Sequence, residues 1–440
     1  MKRALAIITA VIIALTFSGC DGFFASPDEV ISPPELAGTL KGLDIALESA
    51  IGEKYVFAYP SSGDYRTSCI QKDFDGDGID EVLVFYIPES DQMLHLNLFV
   101  KEQGQWQSVS NINLKSASVG TVEFEDMLGD TAVEIVVGSN LYSASDLKTK
   151  QITVYQYSTD GLQAKFQENC TDYRLCDLLR NGYKQIMLFN VSNVTVSAQS
   201  DDTSTQSRVA VARLVSLSDK SQSVLYCGET AINPATVSVA RTISGTVDNL
   251  PALYCDLNLG NGQLTTATLL FDSQNMKLTN PLYDAQTGKS GIAVRSIAIY
   301  CRDINGDGTV DVPVTHELQS DKNSSVLVSW MDLVDGNMTL CETGFYNPNY
   351  SYYFSVPEKW ASNVKPQTVT DVAKQTFVDT DNIEICTVSV SGINETASEI
   401  NANLVYTNSD YNFYMTVSKN IPNDYLMDIE TIKNTFRVLS

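Results

Sequence analysis

Histidine is almost missing from this chain, with only His95 and His316 in 440 residues. A Ser-His-Asp triad or a His-rich metal centre would have to use one of these two. His95 lies in Met93-Leu-His-Leu-Asn-Leu-Phe, alternating away from the leucines, and His316 follows Pro313-Val-Thr, so both read as strand residues. Closely paired cysteines are missing as well. None of the nine forms a CxxC, which argues against a zinc ribbon or a thioredoxin-like site. Positive charge is scarce. Twenty-nine Lys and Arg face 53 Asp and Glu, for a net charge of −24, and such a chain repels phosphate backbones, so no nucleic acid partner is expected. Past the N-terminus no apolar run approaches the ~20 residues of a membrane span. The shortage of histidine leaves one hydrolytic chemistry open, that of a glycosidase, which needs only a pair of carboxylates.

The N-terminus sets the expected compartment. Met1-Lys2-Arg3 is followed by an almost wholly apolar stretch from Ala4 to Phe17, the pattern of an export signal. It ends in Phe17-Ser18-Gly19-Cys20, which resembles a bacterial lipobox and implies lipidation of Cys20. Two acyl chains on that residue suffice for stable anchoring, so the membrane is the first expected partner. Residues 1–19 then form a lipoprotein signal peptide, and 20–38, with Ser26-Pro27 and Ser32-Pro33-Pro34, a tether. The expected location is the extracytoplasmic face of the cell membrane. Export permits disulfides, but eight further cysteines in so long a chain do not form a disulfide framework, and several sit in apolar strand contexts where a thiol packs as a small hydrophobe.

Two segments carry the functional argument. Asp73-Phe-Asp75-Gly-Asp77-Gly78-Ile79-Asp80-Glu81 leads into Val-Leu-Val-Phe-Tyr, and Asp303-Ile-Asn305-Gly-Asp307-Gly308-Thr309-Val310-Asp311 leads into Val-Pro-Val. Oxygens at positions one, three and five of a tight turn converge on one point, glycine at six permits the turn, and a carbonyl at seven and a carboxylate at nine complete a shell. Ca2+ accepts six to eight oxygens in such flexible geometry, whereas a softer ion calls for His or Cys. Position twelve is Val84 or Val314, so neither loop is an EF-hand, and the β-branched runs that follow predict strands. Weaker copies begin at Asp126, Asp177 and Asp256. Leu128 removes a ligand from the first of these, and Arg180 and Gln185 remove charge from the second. The spacing of roughly fifty strand-rich residues suggests propeller blades. One unit shows four strands, Thr121 to Phe124, Glu134 to Gly138, Gln151 to Tyr157 and Leu162 to Phe166.

The two intact loops resemble FG-GAP or VCBS repeats, the calcium-loop repeats of integrin-α-type β-propellers. The wider pattern, with Tyr59-Pro60-Ser-Ser-Gly63-Asp64-Tyr65-Arg66 before the acid loop, resembles lipoproteins of Firmicutes. The resemblance covers roughly residues 30–345. It implies calcium at Asp73, Asp75, Asp77, the Ile79 carbonyl and Glu81, and at Asp303, Asn305, Asp307, the Thr309 carbonyl and Asp311.

The expected fold is thus mainly β. A calcium-loop β-propeller of five or six blades spans residues 39–345, and a small α+β domain spans 346–440. The wide interval between Asp177 and Asp256 leaves room for a concealed blade. Thr39 is the expected cap of a helix running to Ile51, and Asp428 of one running to Thr435. Ile383 to Val390, Asn403 to Tyr406 and Tyr411 to Val417 are expected strands. Gly288-Lys289-Ser290 reads as a hairpin turn, because Tyr283 stands where a phosphate-binding loop needs glycine. The aromatic group Tyr346, Tyr350, Tyr352, Tyr353 and Phe354 is expected to pack internally. The expected function is a binding or scaffolding module for a protein or polysaccharide of the cell envelope, with no catalytic residues. The competing expectation is an extracellular carbohydrate-active hydrolase or lyase on the same propeller, marked by a close carboxylate pair in a central pocket.

Overall fold

The computed structural model describes residues 40–439, apart from 131, 143–148, 159, 198–203, 218–223, 285, 289–292, 317–322, 368–370, 396–401, 420, 422–424 and 426–427. The expected signal segment, Cys20, the tether, Thr39 and most of the Gly288-Lys289-Ser290 turn lie outside the described residues. The protein is mainly β, with three short helices among the described residues and six antiparallel sheets that follow one another along the chain.

The first sheet contains β1 (Tyr55–Phe57), β2 (Cys69–Lys72), β3 (Glu81–Pro88), β4 (His95–Glu102) and β5 (Gln105–Asn113); β1 and β2 lie end to end along the same edge of β3. The second is the meander β6 (Ser118–Glu125), β7 (Glu134–Asn140), β8 (Lys150–Ser158) and β9 (Gly161–Cys170). The third contains β10 (Asp172–Cys176), β11 (Gln185–Ser197), β12 (Ser204–Ser216) and β13 (Leu225–Ala231). The fourth contains β14 (Thr236–Val247), β15 (Leu250–Leu259), β16 (Leu264–Asp272) and β17 (Lys277–Thr279). The fifth begins with β18 (Val312–His316), β19 (Val326–Val334), β20 (Asn337–Tyr346) and β21 (Tyr352–Ser355). Pro313 is tolerated because β18 is an edge strand, where a missing N–H costs no ladder bond. The sixth runs β22 (Val364–Pro366), β23 (Lys374–Asp379), β24 (Glu384–Gly392), then β26 (Tyr411–Val417), with β25 (Asn403–Thr407) outermost.

Side-chain alternation explains how the sheets stack. Successive strand residues point to opposite faces, so a strand packed on both sides becomes a continuous apolar run. In β3, Val82 and Val84 pack on α1 (Leu43–Ile51), while Leu83 and Phe85 join a cluster with Val122, Ile135 and Val137 of the second sheet. In β7, Val136 turns the other way, to Ile186 and Leu188 of β11. Met187 and Phe189 then meet Leu253 and Cys255 of β15, and Tyr254 meets Val312 of β18. Each of these core side chains contributes about 1.5–3 kcal/mol by leaving water. Each of β3, β7, β11 and β15 is thus the filling between neighbouring layers. The helix α1 starts after Gly42, at φ 86°, and covers the outer face of the first sheet.

Among the described residues, the interval between Asp177 and Asp256 conceals no additional sheet. It is taken up by β11 and β12, strands of 13 residues each, and by the start of the fourth sheet. The expected junction at residues 345–346 falls inside the fifth sheet, since β20 pairs with β21 from Gly344↔Ser355 to Tyr346↔Tyr353. The chain then returns from α3 (Ile429–Thr435) to add β27 (Arg437–Val438) beside β21. The helix α2 (Glu358–Asn363) contributes buried Trp360, and one core joins Phe345, Tyr352 and Phe354 of the fifth sheet to Phe377, Val388, Phe413 and Met415 of the sixth, with Phe436 against Tyr352 and Phe354. The aromatic group at the junction therefore packs internally. Asp428 caps α3, accepting from the N–H groups of Glu430 and Thr431.

Candidate functional site

The acid loops sit at equivalent places. Residues 73–80 join β2 to β3, residues 126–133 join β6 to β7, residues 177–184 join β10 to β11, and residues 303–311 lead into β18 after an isolated bridge between Arg302 and Asp311. In the first loop, Asp73 accepts from the N–H groups of Gly76 (2.6 Å) and Gly78 (3.0 Å), Asp75 from Asp77, and Asp77 from Ile79. Gly76 and Gly78 both have φ near 80–90°, a region that disfavours any residue with a Cβ. The fifth-sheet loop repeats this: Asp303 accepts from Gly306 (2.6 Å) and Gly308 (2.9 Å), Asn305 from Asp307, and Asp307 from Thr309.

Position nine closes each loop. Glu81 is buried and accepts from the Phe74 N–H at 2.7 Å. Glu134 does the same with Met127 at 2.8 Å, and Asp311 with Ile304 at 2.8 Å. In the third loop the neutral Gln185 accepts from Leu179 N–H and donates to Asn181 and the Tyr183 carbonyl, closing the turn without a charge. The three acids differ from this amide in one respect. Burial pushes Glu81 up to about 7, against the pull of the Phe74 N–H, and Asp75, Asp73 and Asp77 add to the rise. Burial likewise takes Glu134 to about 7, with Asp130 and Asp126 adding to it. Asp311 is raised by burial and by Asp332 beside it.

Carboxylate oxygens of Asp73, Asp75 and Glu81 lie within 4.8 Å of one another, as do those of Asp126, Asp130 and Glu134. Asp77 lies outside the first of these groups. Like charges so close are costly without a cation, and these all-oxygen sets fit a hard divalent ion. Asp311 is grouped instead with Asp332 of β19 and Cys341 of β20, whose Sγ donates to it at 2.8 Å; Asp303, Asn305 and Asp307 are held by the loop's own hydrogen bonds. The structure thus brings the second-sheet acids together despite Leu128. Asp256 heads no loop. It lies buried within β15 and takes the buried Arg295 guanidinium at 2.5 Å, together with Cys301 N–H and Thr266 Oγ1. There a side-chain cation answers the acid.

A second site was not legible as a motif. A cavity of about 500 Å3 opens between the turn 61–65, the strand β6 and the start of β10. Asp64, Glu123, Glu125 and Asp172 line it, with Lys150, Arg174, Tyr65, Phe124 and Tyr173. Glu123 and Glu125 stand two apart on β6 and so share a face. Asp172, 1% exposed, accepts from Lys150 Nζ (2.7 Å), Arg174 (3.0 Å) and the Tyr173 and Val239 N–H groups. Arg174 also donates to the carbonyls of Tyr173 and Val239. One carboxylate therefore ties the second, third and fourth sheets together and occupies both basic side chains of the cavity. Tyr173 reaches across Gly138, where any Cβ would collide with its ring and with Thr121, and its hydroxyl hydrogen-bonds the Thr121 hydroxyl. Burial raises Glu123 and Glu125 adds to the rise, while Arg174 and Tyr173 oppose it.

His95, on β4, bonds Asp91 and Asn111, and His316, on β18, bonds Ser329. Both are strand residues. No known family matches the chain, and no curated protein does. Among solved structures, the crystal structure of a protein from Lactobacillus plantarum, a Northeast Structural Genomics Consortium target, is similar over 73% of this chain and 84% of that one, at 9% identity and a TM-score of 0.29. That likeness is too slight to bear on architecture or activity.

Proposed function

We propose that this protein is a lipid-anchored, extracytoplasmic β-propeller of the FG-GAP/VCBS kind, stabilised by calcium and acting as a binding or scaffolding module at the cell envelope. The observation that carries this reading is recurrence: the same turn joins β2 to β3, β6 to β7 and β10 to β11, and in the first and second sheets it closes on a buried glutamate surrounded by further acids. Calcium holds the strands in this reading. The ligands are Asp73, Asp75, Asp77, the Ile79 carbonyl and Glu81, and then Asp303, Asn305, Asp307, the Thr309 carbonyl and Asp311. The successive sheets serve as blades, five or six in number, with α1 on the outer face of the first. Lipid on Cys20 supplies the anchor, so a Cys20→Ser variant is expected to leave the membrane fraction; a variant that stays there sinks the anchor.

A thermal melt of residues 21–440, in chelator and then in about 1 mM calcium, tests the metal. Calcium at ten times its dissociation constant adds about 1.4 kcal/mol per site. The wild-type Tm is expected to rise and that of the Asp73→Ala/Asp303→Ala variant to stay put. An unmoved wild type, with sites shown empty by direct binding, reduces the loops to turns.

A further inference from the structure

Four carboxylates face two basic side chains around the 500 Å3 cavity, and Asp172 engages both of those bases. Asp64 is exposed and Glu123 already meets Arg174 and the Tyr173 hydroxyl, so the excess of negative charge falls on Glu123 and Glu125 together, both half-buried on one face of β6. The cavity is far larger than the ~30 Å3 share of a single water, and its size falls within the ~300–1,000 Å3 range of small-molecule sites. A lone metal ion does not fill it, and an anion meets repulsion. Phe124, on the opposite face of β6 from Glu123 and Glu125, already carries Lys72 Nζ 5.3 Å from its ring centroid, which leaves Tyr65, edge-to-face with Phe124 at 4.7 Å, as the aromatic surface of the wall. Such a surface accepts an apolar stem or the face of an organic cation.

We propose that this cavity binds a small organic cation, a molecule carrying a primary ammonium or guanidinium group, with Glu123 and Glu125 as its counter-charges and Tyr65 against its carbon frame. The inference rests on the reading of the protein as a binding module and names the place and chemistry of its ligand. It does not require metal in the loops. Tyr173, seated over Gly138, forms part of the wall beside Glu123, so the pocket is shaped where the second and third sheets meet.

Titration calorimetry with spermidine, in about 1 mM calcium and about 0.1 M salt, tests it, with cellobiose as a neutral probe. Because the whole chain is acidic, the control is charge-matched: Glu89→Gln/Glu358→Gln removes two exposed acids elsewhere. One-site binding is expected in the wild type. Glu123→Gln/Glu125→Gln should weaken it about tenfold or more, as loss of charge-assisted hydrogen bonds does, and the control should leave it within about twofold. Ser62→Trp, a substitution on the exposed rim, should block the mouth and weaken binding while sparing every acid. Equal weakening in the control, preference for cellobiose, or no binding of either probe overturns the proposal; the cellobiose outcome favours the carbohydrate-active reading instead. A repeat with Asp73→Ala/Asp303→Ala in chelator separates the two claims, since cavity binding should persist there whatever calcium does to the melt.

Discussion

Asp172 illustrates how much one residue can hold. Its carboxylate lies at the meeting of three sheets with four donors upon it. Burial by itself would raise its pKa, but Arg174 and then Lys150 outweigh burial and hold it below the usual carboxylate range. A depressed native value stabilises the fold above the unfolded-state pKa of about 3.9, and that stabilisation is lost as pH falls through the native value. Asp172→Asn is expected to cost about 1.5–3 kcal/mol near neutral pH, because Lys150 and Arg174, each about one-third exposed, lose the carboxylate they share. Denaturant melts of wild type and variant should converge as pH drops below about 4. A gap that stays constant down to pH 2–3 would remove charge from the explanation and leave only shape.

At the scale of elements, alternation and turn chemistry were readable and distant partnerships were not. The run Val82 to Tyr86 announces a strand, and its two faces find α1 and the second sheet as such a run requires. The strands near 384, 403 and 411 and the Asp428 cap follow from local pattern, and the structure places them there. The two intact acid loops were legible because turn, ligand and following strand lie within a dozen residues. Asp256 misleads for the opposite reason. Asn258, Gly260, Asn261 and Gly262 belong to the tip of the β15–β16 hairpin and imitate a loop, while the group that decides the role of Asp256, Arg295, stands 39 residues on. The second-sheet acids were undervalued because the sequence counts ligands and the fold counts distances. The cavity is not legible locally: residues 61–65, part of the stretch 59–66, meet strands of two further sheets that lie far on in the chain. The expected junction at 345–346 overlooked β27, whose pairing with β21 brings the chain end back to the fifth sheet.

For the whole molecule, the open question is one of distance. Sheets pack about 10 Å apart, so an open stack of six places the first and last some 50 Å from each other, whereas a ring makes them neighbours across α1. The propeller reading expects the ring. Spin labels at Ile45→Cys on α1, a position 71% exposed, and at the exposed Lys374→Cys on β23 should report a separation under about 30 Å. A separation above about 40 Å would make the molecule a linear stack and sink the propeller reading.

That labelling is practicable because of the native thiols. All eight described cysteines are free, six are buried, and burial raises the pKa of each one, so little reactive thiolate is exposed at neutral pH. They are also spread through the fold: Cys69 in the first sheet, Cys170 in the second, Cys176 and Cys227 in the third, Cys255 in the fourth, Cys341 in the fifth and Cys386 in the sixth. Cys69 and Cys341 are half-buried and partly within reach already, whereas the six buried thiols are silent reporters that include the second, third, fourth and sixth sheets. Each becomes alkylatable only when its own surroundings open, and the order in which the thiols are modified gives the order in which the sheets come apart.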